Sequence, residues 1–171
     1  MYWIVFFTFV GLVSIAFIVF LSRAILLSKA IQRREQKIIS LYKEKIDKIP
    51  AFIEIMSKHT AYKDIFLELI HLHKVAIISH VGSIYDLLEN NSRIHREFLF
   101  LMKVSARIQD LHRNGNFLYI RDFIIFYENT LSKELLFLNS DIECYNRLLQ
   151  KKNLTIVGLL FPFKKRMKTS V

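Results

Sequence analysis

Residues 116–152 read NFLYIRDFIIFYENTLSKELLFLNSDIECYNRLLQKK. Within them Phe117, Ile120, Ile124, Tyr127, Leu131, Leu135, Leu138, Ile142, Tyr145 and Leu149 recur at steps of three or four. That spacing lines one face of an α-helix. A helix of this length runs roughly 55 Å at 1.5 Å per residue, and neither Gly nor Pro interrupts it. The whole chain of 171 residues carries only four Gly and two Pro. A fold built on strands needs many tight turns and the residues that make them. The reading is therefore all-α, with long helices and few connections.

Three further stretches carry the helical period. In residues 23–58, Leu27, Ile31, Ile38, Tyr42, Ile46, Ile49, Ile53 and Met56 form one stripe. Pro50 falls inside it, lacks a backbone donor and presses on the carbonyl of Ile46, so a kink is expected there. Residues 62–89 place Phe66, Ile70, Ile77, Val81, Ile84 and Leu88 on one face. Asn90, Asn91 and Ser92, whose side chains compete for the backbone, predict a turn. Residues 93–112 follow with Ile94, Phe98, Leu101, Val104, Ile108 and Leu111. Gly115, between Asn114 and Asn116, suits a left-handed helix C-cap. Short connections make successive helices antiparallel neighbours in a four-helix-type bundle.

Upstream of the bundle, residues 1–22 contain no charged side chain. About 20 apolar residues in a helix cross the hydrocarbon core of a bilayer, where the helix satisfies its own backbone groups. Tyr2 and Trp3 stand where an interfacial aromatic anchor belongs, and Phe6, Leu12, Phe17 and Leu21 face the lipid. A secretory signal has a basic leading region, a shorter apolar core and a small-residue cleavage site. These features are missing, so the segment is read as an uncleaved single-pass anchor. Arg23, Lys29, Arg33 and Arg34 follow it at once. The excess of cations on that side predicts a cell-membrane protein with its N-terminus outside and its bundle in the cytoplasm.

Charge is concentrated at the two ends of the soluble part. Residues 23–48 have eight Lys or Arg against three acids, and residues 147–168 have seven and none. The intervening residues carry ten basic and twelve acidic groups. The antiparallel path returns the C-terminus to the membrane. There the tail, residues 153–171, brings apolar Phe161 and Phe163 together with Lys164, Lys165, Arg166 and Lys168. Such a segment suits the anionic inner leaflet; the alternative is a solvated, disordered terminus. A nucleic-acid binder would place its basic stripe on an exposed face of the bundle, so nucleic acid is not an expected partner.

Laid out this way, the chain resembles the LemA family of bacterial membrane-anchored helical proteins. Ile49-Pro50-Ala51-Phe52-Ile53-Glu54 is similar to the family's IPNLVE segment, with Ala51 in place of its asparagine. Asn116-Phe117 resembles the NF opening of its long last helix, and Tyr145-Asn146 its YN pair. Asn153-Leu154, Ile156, Gly158-Leu159-Leu160-Phe161 and Phe163 resemble its closing NLIAGLFGF segment. The resemblance implies an all-helical bundle behind one span, with no established enzymatic activity and no cofactor.

Gly-rich phosphate loops and paired-cysteine zinc motifs are absent, and Cys144 is the only cysteine. At helical spacing it reads as a small core residue. Glu68 and His71 form one E-x-x-H pair, whereas carboxylate-bridged di-iron bundles use two; a metal-dependent enzyme at Glu68 and His71 is the remote alternative. His59, His80, His95 and His112 read as surface or helix-end residues. Tyr42, Tyr127 and Tyr145 read as core residues with hydroxyls at the bundle edge. The expected function is a non-enzymatic scaffold or adaptor. Its partners are the bilayer, an unknown membrane or cytoplasmic protein, and in one version a second copy of the chain. The alternative is a membrane-linked sensor relaying through the Pro50 kink.

Overall fold

The computed structural model of the chain describes residues 2–78, 84–152 and 165–169. It is all-helical, with no strand among the described residues. Helix α1 spans Tyr2–Ile46 and α2 spans Ile49–Lys58. A 3₁₀ turn at Lys63–Phe66 leads into α3, Leu67–Ile78. Then come α4 at Ile84–Ser105, a short α5 at Gln109–Arg113, and α6 at Gly115–Lys152. The expected last helix is reproduced to within one residue at its start.

Between α1 and α2 lies a two-residue turn at Asp47 and Lys48. Its geometry follows from Pro50. With no N–H at Pro50, the carbonyl of Ile46 loses its intrahelical donor. The Lys48 amide instead bonds the Lys45 carbonyl at 3.2 Å, the tighter step of a 3₁₀ turn. Pro50 then sits in the first turn of α2, where a missing donor costs nothing. The expected kink is a brief interruption, and the first soluble helix is two helices.

Three other expectations are corrected. Asn90, Asn91 and Ser92 lie in the middle of α4 rather than in a turn, and both asparagines are buried. Gly115 has no positive φ. It opens α6, while the Asn114 side chain accepts a hydrogen bond from the Phe117 amide at 3.0 Å. The Asn-Gly-Asn punctuation therefore serves as an N-cap for the helix that follows. The buried residues of α3 are Leu69, Leu72 and Ala76, whereas Ile77 is exposed. Because α3 is apolar on most sides, its periodicity did not select a face. Val81 and His80 lie outside the described residues, as do Lys164, Gly158, Phe161 and Phe163.

The chain divides into two compact units. Residues 36–134 form one, whose core is centred on Phe52. The Phe52 ring lies 5.0 Å from Phe98 and stacks at 5.9 Å on Phe117. Ile38, Tyr42 and Ile46 of α1, Phe66 and Leu69, Ile94 and Leu101, and Ile124 and Leu131 close the core. Two of the resemblance positions, Ile49 and Phe117, are buried here, while Pro50 and Asn116 are exposed.

The other unit comprises residues 1–35 and 135–171. Ala24 and Ile31 of α1 are buried, as are Leu135, Leu138, Ile142, Tyr145 and Leu149 of α6. Arg34 meets Asp141 at 2.5 Å and lies over the Phe137 ring at 5.0 Å. The first turns of α1 have no such cover. Tyr2, Trp3, Phe6 and Leu12 are all more than half exposed, with Ile4, Val5, Phe7, Phe9 and Ile15 beside them around the helix. Phe17 and Leu21 are half-buried. Helix α1 is long and apolar enough to cross a membrane.

Candidate functional site

Glu68 and His71 do not assemble a centre. Both are exposed on α3, and Glu68 faces Arg93 at 3.4 Å. No group of three or more His, Cys, Asp or Glu among the described residues is arranged to hold a metal ion. His73, two residues on, has its pKa lowered, chiefly by burial, with Asp47 and the Ile46 backbone opposing.

Sequence reasoning missed a buried polar cluster in the unit of residues 36–134. Lys45 is fully buried. Its Nζ donates to Asn91 Oδ1 at 2.8 Å and forms a close ion pair with Glu128. Asn91 Nδ2 donates in turn to Glu128 Oε1 at 3.3 Å. His95 Nδ1 stands 3.7 Å from the same carboxylate oxygen and has no hydrogen-bond partner. One turn back on α1, Tyr42 Oη accepts from Asn90 Nδ2 at 2.9 Å. Burial pushes the Tyr42 phenol up to about 12 against the opposing Asn90 bond. Burial likewise lowers the Lys45 pKa, and Glu128 resists the shift. A lysine with a lowered pKa beside a carboxylate has the chemistry of a general base. Lys45 is closed to solvent, and through Asn91 and Glu128 it ties α1 to α4 and α6. The signal was available: Lys45 lies on the same stripe as Ile38, Tyr42, Ile46 and Ile49, where a charge needs a buried partner.

The residues 1–35 and 135–171 hold a second arrangement, which reaches the surface. Residues 165–169 have no helical structure and lie along α6. Asn146 Nδ2 donates to the Arg166 carbonyl at 2.8 Å, and the Arg166 amide donates to Asn146 Oδ1 at 3.0 Å. Asn139 does the same to Thr169, with both bonds at 2.9 Å. The Thr169 hydroxyl adds a third bond to Asn139 Oδ1 at 2.9 Å. Each carboxamide thus satisfies the donor and the acceptor of one backbone residue. Around these clamps the side chains are paired by charge. Arg166 reaches Glu35 of α1 at 3.1 Å and Lys168 reaches Glu143 of α6 at 3.0 Å. Hydrogen bonds from Arg147 and Lys168 hold the Glu143 carboxyl below its usual range.

The remaining cations read from the sequence are less engaged. Arg23, Lys29, Arg33 and Lys165 are exposed. Arg23 and Arg147 border an open recess of about 590 Å³ whose walls are Leu26, Leu27, Ala30, Leu148 and Cys144. Cys144 is exposed, not a core residue, because its position on α6 falls one step off the buried face marked by Ile142 and Tyr145. Asn146, noted in the sequence only as part of a two-residue pattern, is a clamp residue. Asn139 was not singled out; its spacing of seven from Asn146 was the only signal. No protein-family model matches this chain, and neither a curated protein nor a solved structure matches it.

Proposed function

We infer that this protein is a LemA-like, single-pass membrane scaffold that presents an antiparallel helical bundle to a protein partner without catalysing a reaction. One observation carries the reading: the opening turns of α1 expose large apolar side chains all around the helix. Water is a poor solvent for such a surface, whereas a bilayer matches its length and its self-satisfied backbone. Tyr2 and Trp3 serve as the interfacial anchor at the outer end. Arg23, Lys29 and Arg33 serve as the cytoplasmic flank facing anionic headgroups, with Lys165 as a further headgroup contact. The apolar recess bordered by Arg23 and Arg147 has the chemistry to seat an acyl chain beneath a headgroup. Antiparallel pairing is supported in residues 36–134 by Lys37 with Glu134, Lys45 with Glu128 and Lys48 over Phe123; the α6 partner number falls as the number along α1 and the turn after it rises.

The test joins extraction with topology. Cys144→Ser together with Tyr62→Cys leaves one thiol on an exposed connection. The protein is expected to stay in the membrane pellet at alkaline pH. The new thiol is expected to react with an impermeant maleimide only after lysis. Release into the supernatant would remove the span, and labelling of intact cells would reverse the orientation. A second reading, a sensor relaying through the α1–α2 turn, is favoured by the break at Asp47 and Lys48 beside Pro50. If Pro50→Ala closed that break without altering any phenotype of the protein, the sensor reading would fail.

A further inference from the structure

The spacing of the two clamps is the informative quantity. Asn139 and Asn146 are seven residues apart on α6, so they share a face and stand roughly 10 Å apart along the axis. Arg166 and Thr169 are three residues apart, and three residues of extended chain also span roughly 10 Å. A heptad of helix therefore matches a triplet of extended peptide. Each carboxamide reads the backbone, which every non-proline residue offers, and so supplies affinity without demanding a particular side chain. Selectivity comes from the carboxylates: Glu35 takes the cation at the first position and Glu143 the one two residues later. The buried Thr169 hydroxyl, bonded to Asn139, fills a small polar niche at the fourth position. Met167, between the two cations, is exposed.

We propose that this face of α6, with Glu35 of α1, is a binding site for extended basic peptides of the form Arg/Lys-x-Lys-Thr/Ser, and that the chain's own residues 166–169 are its resident occupant. The partner presented to the scaffold is then a protein carrying such a segment in an unfolded stretch, and it binds by displacing the resident tail. A tail that occupies the site in cis lowers the apparent affinity for a competitor by the fraction of sites left open. Weakening the tail therefore strengthens binding in trans. This assignment rests on the scaffold reading only for its cellular role. Peptide binding in detergent does not depend on whether α1 spans a bilayer, so the topology test and the peptide test fail separately.

The probe is the fluorescein-labelled peptide Lys-Lys-Arg-Met-Lys-Thr-Ser-Val, titrated by anisotropy against the full-length chain in neutral detergent micelles. The native chain is expected to bind it weakly. The variant R166E/K168E, which reverses charge in the resident tail, is expected to bind at least tenfold more tightly. Adding N139L/N146L to that background should remove at least tenfold of the gain, with helicity checked by circular dichroism. An independent measurement leaves the protein untouched. The same peptide N-methylated at the Arg and Thr amides keeps its charge but loses both backbone donors, and it should bind at least tenfold more weakly to R166E/K168E. Equal binding of the methylated peptide would reduce the site to charge attraction and overturn the proposal. No binding to R166E/K168E would make the clamps a fastening for the tail alone. Displacement of the native tail by phosphatidylglycerol vesicles but not by the peptide would assign its release to the bilayer, and would overturn the proposal as well.

Discussion

Asn90 and Asn91 on α4 carry the same carboxamide as Asn139 and Asn146 on α6, and the two pairs do opposite things. On α4 the amides are buried and bond other side chains, Tyr42 on one side and Lys45 with Glu128 on the other. Their partners are fixed members of the core. On α6 the amides are half-buried and bond main chain from a segment that the sequence places some twenty to thirty residues later. Their partner is held at the surface. A buried carboxamide left unpaired carries the full desolvation cost, whereas one at the surface turns to water. The α4 pair should therefore govern global stability and the α6 pair a local equilibrium.

The sharpest way to break this contrast is Glu128→Ala, which strands the buried Lys45 charge. A loss of about 3–5 kcal/mol is expected from urea unfolding. Lys45→Met should lose much less, because it removes the charge that needs a partner; equal losses from the two would mean that the pair is not the source. Asn91→Ala comes next, with an expected loss of about 1–3 kcal/mol, since Lys45 and Glu128 each go one hydrogen bond short. A loss under a few tenths would place Asn91 in the surface class. Asn146→Ala should then lower global stability by less than about 1 kcal/mol. It should nonetheless speed hydrogen exchange at the Arg166 amide at least tenfold, because local opening no longer breaks a bond. Cooperative unfolding of the bundle in that variant would erase the distinction between the pairs.

The smallest effect at neutral pH concerns Tyr42. Its folded pKa, about 12, lies above the model-compound value of 10.0. The stability this protonated phenol contributes is present in full below pH 10 and is lost as the pH rises through 12. Lys45 acts with the opposite sign. Its folded pKa lies below 10.5, so the unfolded chain holds the extra proton and stability rises with pH towards that value. The difference between the native chain and Tyr42→Phe isolates the phenol. It should be constant up to about pH 10 and shrink between pH 10 and 12. A constant gap across that window would mean that the phenol titrates as it does in water.

Much of the fold was legible because helix formation leaves a periodic record. The ten stripe positions of α6, Phe117 to Leu149, are spaced at three and four, and all of them except the half-buried Tyr127 are buried, although Phe126, Leu136 and Phe137 off that stripe are exposed. Element boundaries were less legible where a side chain had two uses. Asn90 and Asn91 carry a real preference for turns, and it was overridden by partners more than thirty residues away in sequence. Gly115 was read as the end of one helix when the neighbouring Asn114 caps the start of the next. On α3 the surplus of apolar residues left no contrast from which to choose a face. The clamp was half legible: Asn146 drew notice as part of a pattern, but its role depends on where residues 165–169 run.

By itself the sequence determined the all-helical class, the long apolar stretch at the start of α1 and the crowding of cations just beyond it. These are local quantities, set by side-chain polarity and by a backbone that must bond within its own segment. Tertiary structure alone decided that Lys45 is buried on Glu128 rather than solvated among the flanking cations. It also decided that Arg166 and Lys168 meet carboxylates, and that two asparagines a heptad apart grip the backbone of Arg166 and Thr169. The physical reason is the same in each case. A charge or an amide has no preferred partner until packing brings one within hydrogen-bond distance and removes the competing water.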